Sequence, residues 1–253
     1  MSVPKLRFKE FTGKWESITL EKLSKYRRGS FPQPYGLDKW YDDEQGDPFV
    51  QVYDVDTNMR LKPSTKKKIS EEAKPFSVFV KKGSIILTIQ GSIGRIAITQ
   101  YDCYVDRTLL IFGDFFKPLD KWFFAYSILL LFEIEKEKAP GGTLKTITKE
   151  ALSSFTVGIP TLLEQTKIAD FLISVDEKIA QLTQKCELLA RYKKGVMQQI
   201  FSQELRFKDD DGSDFPDWEE KKLKEIFTIK YGKDYKHLNS GNIPVIGTGG
   251  IMT

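Results

Sequence analysis

Histidine and cysteine are nearly missing from this 253-residue chain: His237 stands alone, and Cys103 and Cys186 are the only thiols. A single imidazole excludes a multi-histidine metal centre. Two cysteines, one of them inside a helical pattern, argue against a secreted disulfide scaffold. Long apolar runs are lacking too. The most apolar stretch, Trp122 to Phe132, is about half of the roughly 20 residues that span a bilayer, and it reads as a buried helix. The opening Met1-Ser2-Val3-Pro4-Lys5 has no apolar signal segment. Neither sign of charge is in large excess: 39 Lys+Arg against 35 Asp+Glu give +4, a mildly basic balance. These absences predict a soluble, cytoplasmic protein.

Signatures of catalysis are also absent. No GxxxxGK[ST] phosphate loop occurs, since Gly247-Thr248-Gly249-Gly250 lacks the lysine. The Asn/Asp-Pro-Pro-Tyr/Phe run of base methyltransferases is missing. Pro216-Asp217 lies too close to Glu219-Glu220-Lys221 to form a strand-and-hairpin nuclease site. Any nucleophile–histidine pair would depend on His237 alone. The reading is a non-enzyme, with no metal site and no cofactor held by this chain.

What is present is a core and an internal repeat. With 40% hydrophobic and 29% charged residues the chain can bury a core and is not disordered as a whole. Leu6-Arg7-Phe8-Lys9, Gly13-Lys14-Trp15-Glu16 and Leu20-Glu21-Lys22-Leu23 are matched by Leu205-Arg206-Phe207-Lys208, Asp217-Trp218-Glu219 and Leu223-Lys224-Glu225-Ile226. Trp15 and Trp218 lie 203 positions apart, as do Gly29 and Gly232, whereas Leu6 and Leu205 lie 199 apart. The second copy therefore carries a four-residue insertion near Asp209 to Ser213. It has fewer than 50 residues against about 150 in the first copy before its helix, which predicts a second domain cut short.

Between the copies, Ile168, Leu172, Val175, Ile179, Leu182, Cys186, Leu189, Lys193, Val196 and Ile200 alternate in steps of four and three, and only Lys193 is not apolar. That is a heptad seam of a coiled coil. Thr161 and Glu164, after Pro160, have the spacing of a capping box. At about 1.5 Å per residue, a helix from Leu162 to about Gln203 is roughly 60 Å long. Residues 1–160 read as mixed and β-rich: Phe49–Val55, Ser77–Val80, Ser84–Ile89, Ile96–Ile98, Tyr104–Val105 and Leu109–Phe112 as strands, Leu20–Tyr26 and Leu119–Phe132 as helices. The expected fold class is α+β. A β-rich domain spans 1–160, a spacer helix 161–205, and the start of a second, incomplete domain 206–253.

Donor-rich basic segments fall where loops are expected: Arg27-Arg28-Gly29-Ser30, Lys66-Lys67-Lys68, Lys81-Lys82-Gly83, and the strand–turn–strand Gln90-Gly91-Ser92-Ile93-Gly94-Arg95. Phosphates are bound by Lys, Arg and hydroxyls, and base edges are read by Arg, Gln and Asn. Tyr35, Trp40 and Tyr53 offer stacking faces. A second glycine element, Gly141-Gly142-Thr143-Leu144-Lys145-Thr146-Ile147, leads toward the long helix. The DNA-binding candidates are Arg28, Ser30, Tyr53, Gln90, Ser92, Arg95, Thr143, Lys145 and Thr146.

The GGT element, then Val157-Gly158-Ile159-Pro160-Thr161-Leu162-Leu163-Glu164-Gln165-Thr166-Lys167-Ile168-Ala169-Asp170-Phe171-Leu172, closely resembles type I restriction-modification specificity (S) subunits. Val175-Asp176-Glu177-Lys178-Ile179 and the opening Val3-Pro4-Lys5-Leu6-Arg7-Phe8 with Gly13-Lys14-Trp15 match the same family, over essentially the whole chain. Thr161-Leu162-Leu163 departs from it, since the family commonly has proline and a further acidic residue there. The length departs as well, because members usually carry two complete target-recognition domains. The resemblance implies a non-catalytic subunit in which residues 1–160 form a target-recognition domain. That domain would read one half of a bipartite site on double-stranded DNA. Modification (methyltransferase) subunits would dock on the chain, and restriction subunits through them, with S-adenosylmethionine, ATP and Mg on those partners. With no second helix in the chain, the seam is expected to form a homodimer. Two readings compete: a coiled-coil adaptor with a protein- or sugar-binding head, and an inactive truncated product.

Overall fold

The structure, a computed structural model, describes residues 4, 6–138, 147, 149–232, 239, 241–247 and 250–252. The chain divides into two compact units, Met1–Glu187 and Leu188–Thr253. The first begins with strand β1 (Glu16–Thr19), a one-turn helix α1 (Leu20–Leu23) and strand β2 (Ser24–Arg28). Strands β3 (Asp47–Val50), β4 (Lys67–Ile69), β5 (Val78–Val80), β6 (Ile85–Thr88), β7 (Ile96–Ile98), β8 (Cys103–Val105) and β9 (Leu109–Phe115) follow. Helices α2 (Lys121–Lys138) and α3 (Lys149–Ser154), strand β10 (Thr156–Ile159) and the 40-residue helix α4 (Leu162–Phe201) come next. The mixed α+β reading holds. Two local expectations do not: Leu20–Tyr26 is helical only to Leu23, and Phe49–Val55 leaves the strand at Val50 for a 3-10 turn over Val52–Asp54. In the first case pairing of β2 with β9 overrides a helical pattern; in the second Asp54 accepts the Gln51 N–H at 2.9 Å and closes the turn.

Two four-stranded sheets stack. One has the order β2-β9-β6-β7, all antiparallel; the other is β4-β3-β8-β5, in which β3 and β8 run parallel. Side chains alternate across a strand, and the alternation assigns two cores. Ile85, Leu87, Ile96, Leu110 and Phe112 face Phe124, Ile128 and Phe132 of α2. Ile86, Ala97, Leu109 and Ile111 face Val50, Val78, Val80 and Val105 of the other sheet. All four residues of β6 are therefore buried, which is why Ile85–Leu87 reads as an unbroken apolar run. Cys103 is a buried free thiol, pushed up to about 12 by desolvation, and Cys186 is free and exposed. Among the described residues no helix is long and apolar enough to cross a membrane.

The entry to α4 is held from several sides. The Glu164 backbone N–H reaches Thr161 Oγ1 at 3.4 Å, half of the expected capping box. The Glu164 carboxylate, 2% exposed, does not turn back to Thr161: it accepts the Arg7 Nε and Nη2 donors at 2.6 Å each and the Trp15 indole N–H at 3.1 Å. That hydrogen bonding lifts the Arg7 guanidinium further above its ordinary value. Gln165 donates to the Pro160 carbonyl at 2.9 Å and accepts the Asp120 N–H at 2.9 Å, and Tyr126 donates to Asp176 at 2.5 Å. Ile168 and Leu172 of the seam are half-buried on this unit, and from Val175 to Leu189 the seam is exposed, Ile179 by 56%.

In the second unit, helix α5 (Leu223–Ile226) lies 203 positions after α1, in the register of the repeat. A hairpin of β11 (Val245–Gly247) and β12 (Gly250–Met252) follows. Arg206, the counterpart of Arg7, bonds Asp217 at 2.8 Å and the carbonyls of Phe215 and Pro216 at 2.7 Å each.

The glycine turn between β6 and β7 admits α2 closely. Gly94 has φ +87°, and a Cβ there would stand 2.7 Å from a ring carbon of Phe132. Gly94→Ala is expected to destabilise the protein by roughly 1–3 kcal/mol through overpacking at a strained backbone position; equilibrium denaturation checks this, and an unchanged midpoint would refute it.

Candidate nucleic-acid interface

Four connections of the first unit meet through their backbones. The segment after β2 packs on the turn between β8 and β9: Gly29 N–H bonds the Leu109 carbonyl and Ser30 N–H the Val105 carbonyl, each at 3.0 Å. Gly29 is required there, because a Cβ would stand 2.2 Å from the Val105 carbonyl oxygen and 2.4 Å from that of Asp106. The same turn reaches β3, with Asp106 N–H on the Val50 carbonyl at 3.0 Å, and the glycine turn, with Ile89 N–H on the Thr108 carbonyl at 3.0 Å. The glycine turn in its place touches the 3-10 turn after β3: a Cβ on Gly91 would sit 3.4 Å from Val52, and Arg95 Nη1 donates to the Val55 carbonyl at 3.2 Å.

This convergence gathers Arg28, Ser30, Tyr53, Gln90, Ser92 and Arg95 into one region of the surface. Arg28, Gln90 and Ser92 are exposed. Ser30 and Arg95 have internal tasks, Ser30 Oγ donating to the Phe76 carbonyl at 2.7 Å and Arg95 to Val55 as above. Thr143, Lys145 and Thr146 lie outside the described residues. Gly91 and Gly94 adopt positive φ, +67° and +87°, and Gly94 also makes room for Phe132.

Gln51 and Arg107, which the sequence does not mark as site residues, complete the face. Tyr35 and Tyr53 are 43% and 38% exposed, and Gln51 bridges them, donating to the Tyr35 hydroxyl at 2.6 Å and accepting from the Tyr53 hydroxyl. Phe31 supports Tyr35 and Tyr41 from inside, with centroids 5.1 and 5.3 Å away. Cations lie against the rings: Lys66 over Tyr53 at 5.1 Å, Lys67 over Tyr41 at 5.3 Å and Arg107 over Tyr35 at 5.4 Å. Burial, then the charge of Asp54, pushes the Tyr53 phenol up to about 12; burial, then Asp106, raises Tyr35 as well. Both phenols therefore stay protonated at neutral pH. The signal that could have found Arg107 is its place in the polar tripeptide Asp106-Arg107-Thr108 between two apolar runs.

Such a face offers cations, hydroxyls, an amide and π-surfaces on a rigid base, the groups that bind phosphate and base edges. Among the described residues no group of His, Cys, Asp and Glu is placed to hold a metal ion. The base is stiffened by Thr88, fully buried, whose hydroxyl donates to the Ser92 carbonyl at 2.5 Å and accepts the Arg95 N–H at 3.0 Å. Thr88→Val, similar in shape, is expected to cost about 1–3 kcal/mol by leaving those two groups unsatisfied. Amide exchange at Arg95 should rise with it, and unchanged protection there would refute the assignment.

Comparison with known proteins places the chain in a family. The model of the type I restriction modification DNA specificity domain matches residues 12–190. The type I restriction enzyme MjaVIII specificity subunit of Methanocaldococcus jannaschii is 27% identical over 63% of the chain and 39% of that protein. The putative MjaX specificity subunit of the same organism is 25% identical over 82% of the chain and 47% of that protein. The chain thus spans less than half the length of these relatives. Two solved structures share the fold: the HsdS subunit from Thermoanaerobacter tengcongensis (TM-score 0.52, 18% identity, 80% of this chain and 48% of that one) and the type I S subunit from M. genitalium (TM-score 0.54, 16% identity, 100% and 65%). A third, from work on complex assembly of a type I R-M system, has a TM-score of 0.57 at 20% identity, covering 76% of this chain and 47% of that one. By the span of that family model, the chain belongs to the type I restriction-modification DNA specificity family.

Proposed function

We propose that residues 1–160 form a target-recognition domain that reads one half of a bipartite site on duplex DNA. The observation that carries this is the convergence of four loops into one face bearing Arg28, Arg107, Lys66, Gln90, Tyr35 and Tyr53. In this reading Lys66 and Arg28 anchor phosphates and the centre of the face reads bases. The chain holds no cofactor of its own. Modification subunits dock on it and bring S-adenosylmethionine, and restriction subunits with ATP and Mg join through them. The curated relatives, both named as specificity subunits of type I restriction enzymes, support that assignment.

Affinity of the full chain for duplex DNA, followed by anisotropy across a salt series, is expected to fall steeply as salt rises, and Lys66→Ala to reduce the log–log slope by about one unit. An absence of binding at low salt would favour the adaptor reading and overturn this one.

The homodimer is part of the same proposal. Val175, Ile179, Leu182 and Leu189 are exposed along α4, and each is worth very roughly 1.5–3 kcal/mol when buried. A two-fold axis crossing the helix pairs two copies antiparallel and covers the seam on both. The dimer would carry a recognition domain at each end and read a palindromic pair of half-sites. Sedimentation equilibrium is expected to give twice the 29.1 kDa chain mass; a concentration-independent monomer mass would sink the dimer.

A further inference from the structure

The cations of the face differ in what already engages them. Arg95 is bonded to the Val55 carbonyl, Lys67 is paired with Asp43 at 2.9 Å, and Lys66 lies over Tyr53. Arg107 is exposed, and among the described residues its guanidinium has no hydrogen bond and no ion pair. It is nonetheless held, against the Tyr35 ring that Gln51 and Phe31 fix. Its backbone is fixed too. Asp106 accepts the Thr108 N–H on Oδ1 at 3.0 Å and the Leu109 N–H on its carbonyl at 3.0 Å, and its own N–H is tied to Val50. Asp106 is 2% exposed, and its Oδ1 also accepts the Thr108 hydroxyl at 2.6 Å. An unpaired guanidinium on a fixed turn, 5.4 Å from the centre of a fixed ring, loses little freedom when it engages a planar pair of acceptors.

We propose that Arg107 is the guanine-reading residue of this face, donating to O6 and N7 in the major groove, and that Tyr35 positions it. The inference rests on the DNA-reading role proposed above. Guanine is the base whose major-groove edge presents two acceptors to the arginine fork. Lysine lacks that fork, and a phosphate contact would carry no sequence preference.

Selection of bound duplexes from a randomised pool by the purified full chain tests it. The wild type is expected to enrich a motif containing guanine, and Arg107→Ala to lose the preference at one guanine while keeping the rest. Affinity for the selected duplex should fall roughly 5- to 150-fold in that variant. Arg107→Lys, which keeps the charge but not the planar fork, should weaken the same preference. Tyr35→Leu should weaken it at that position, and Tyr35→Phe, which keeps the ring on Phe31 but loses the Gln51 contact, should weaken it less. An unchanged motif with Arg107→Ala, or an equal loss on all sequences as for a phosphate anchor, overturns the role of Arg107 and leaves DNA reading intact. A wild type that enriches no motif overturns the reading function itself, and this inference with it.

Discussion

The carboxylate of Glu164 joins parts of the first unit that are far apart in the chain. It is almost wholly buried, and a bare carboxylate in that setting would be strongly disfavoured. Arg7 supplies a two-pronged, charge-assisted pair and Trp15 a third donor, so the N-terminal segment must lie across the start of α4 for the charge to be tolerated. That arrangement sets β1 beside β10, Glu16 opposite Ile159, and closes the segment between them into one body. Gln165, the next residue, ties the helix start to Asp120 at the head of α2. The long helix thus leaves the domain from an end fixed by buried polar contacts, while its exposed seam begins about three turns later.

The second constraint is the sheet shared by two cores. Because β6, β7 and β9 are covered by α2 on one face and by the other sheet on the second, their ends cannot shift without disturbing both. The turns that leave those ends inherit the rigidity. A surface built on such turns needs little ordering on contact with a ligand. The aromatic layer of Phe31, Trp40 and Phe49 beneath the tyrosines extends the same support to the outer face of the second sheet.

Within the face, chemical role follows from who already holds each group. Ser30 and Arg95 have hydrogen-bonding potential that the protein itself uses, whereas Gln90, Ser92 and Arg28 are exposed and their side chains have no hydrogen-bond partner among the described residues. Tyr35, Gln51 and Tyr53 form a linked series in which each polar atom orients the next. The tyrosines are protonated and partly exposed, an arrangement suited to contact with a polar, planar surface.

Much of this was legible in the sequence because it depends on local period and spacing. The heptad steps from Ile168 to Ile200 appear as one uninterrupted helix, the apolar runs as strands, and the 203-residue repeat as α1 and α5 in matching register. The loop cations and the glycine turn were recognisable by residue type. Other features needed the tertiary structure, since they depend on contacts between distant segments. Leu20–Tyr26 could not be seen to break into a strand without β9 beside it. Glu164, spaced as a capping residue, is taken by Arg7 from 157 positions away. The two copies of the repeat show the limit most clearly: Leu20 and Leu23 are fully buried, while their counterparts Leu223 and Ile226 are exposed. The same pattern of side chains specifies what can be buried, and only the packed neighbours decide whether it is. Arg107 and Gln51 lie beside Tyr35 for that reason: their neighbours across the fold, not their surroundings in the chain, put one over its ring and make the other a bridge to Tyr53.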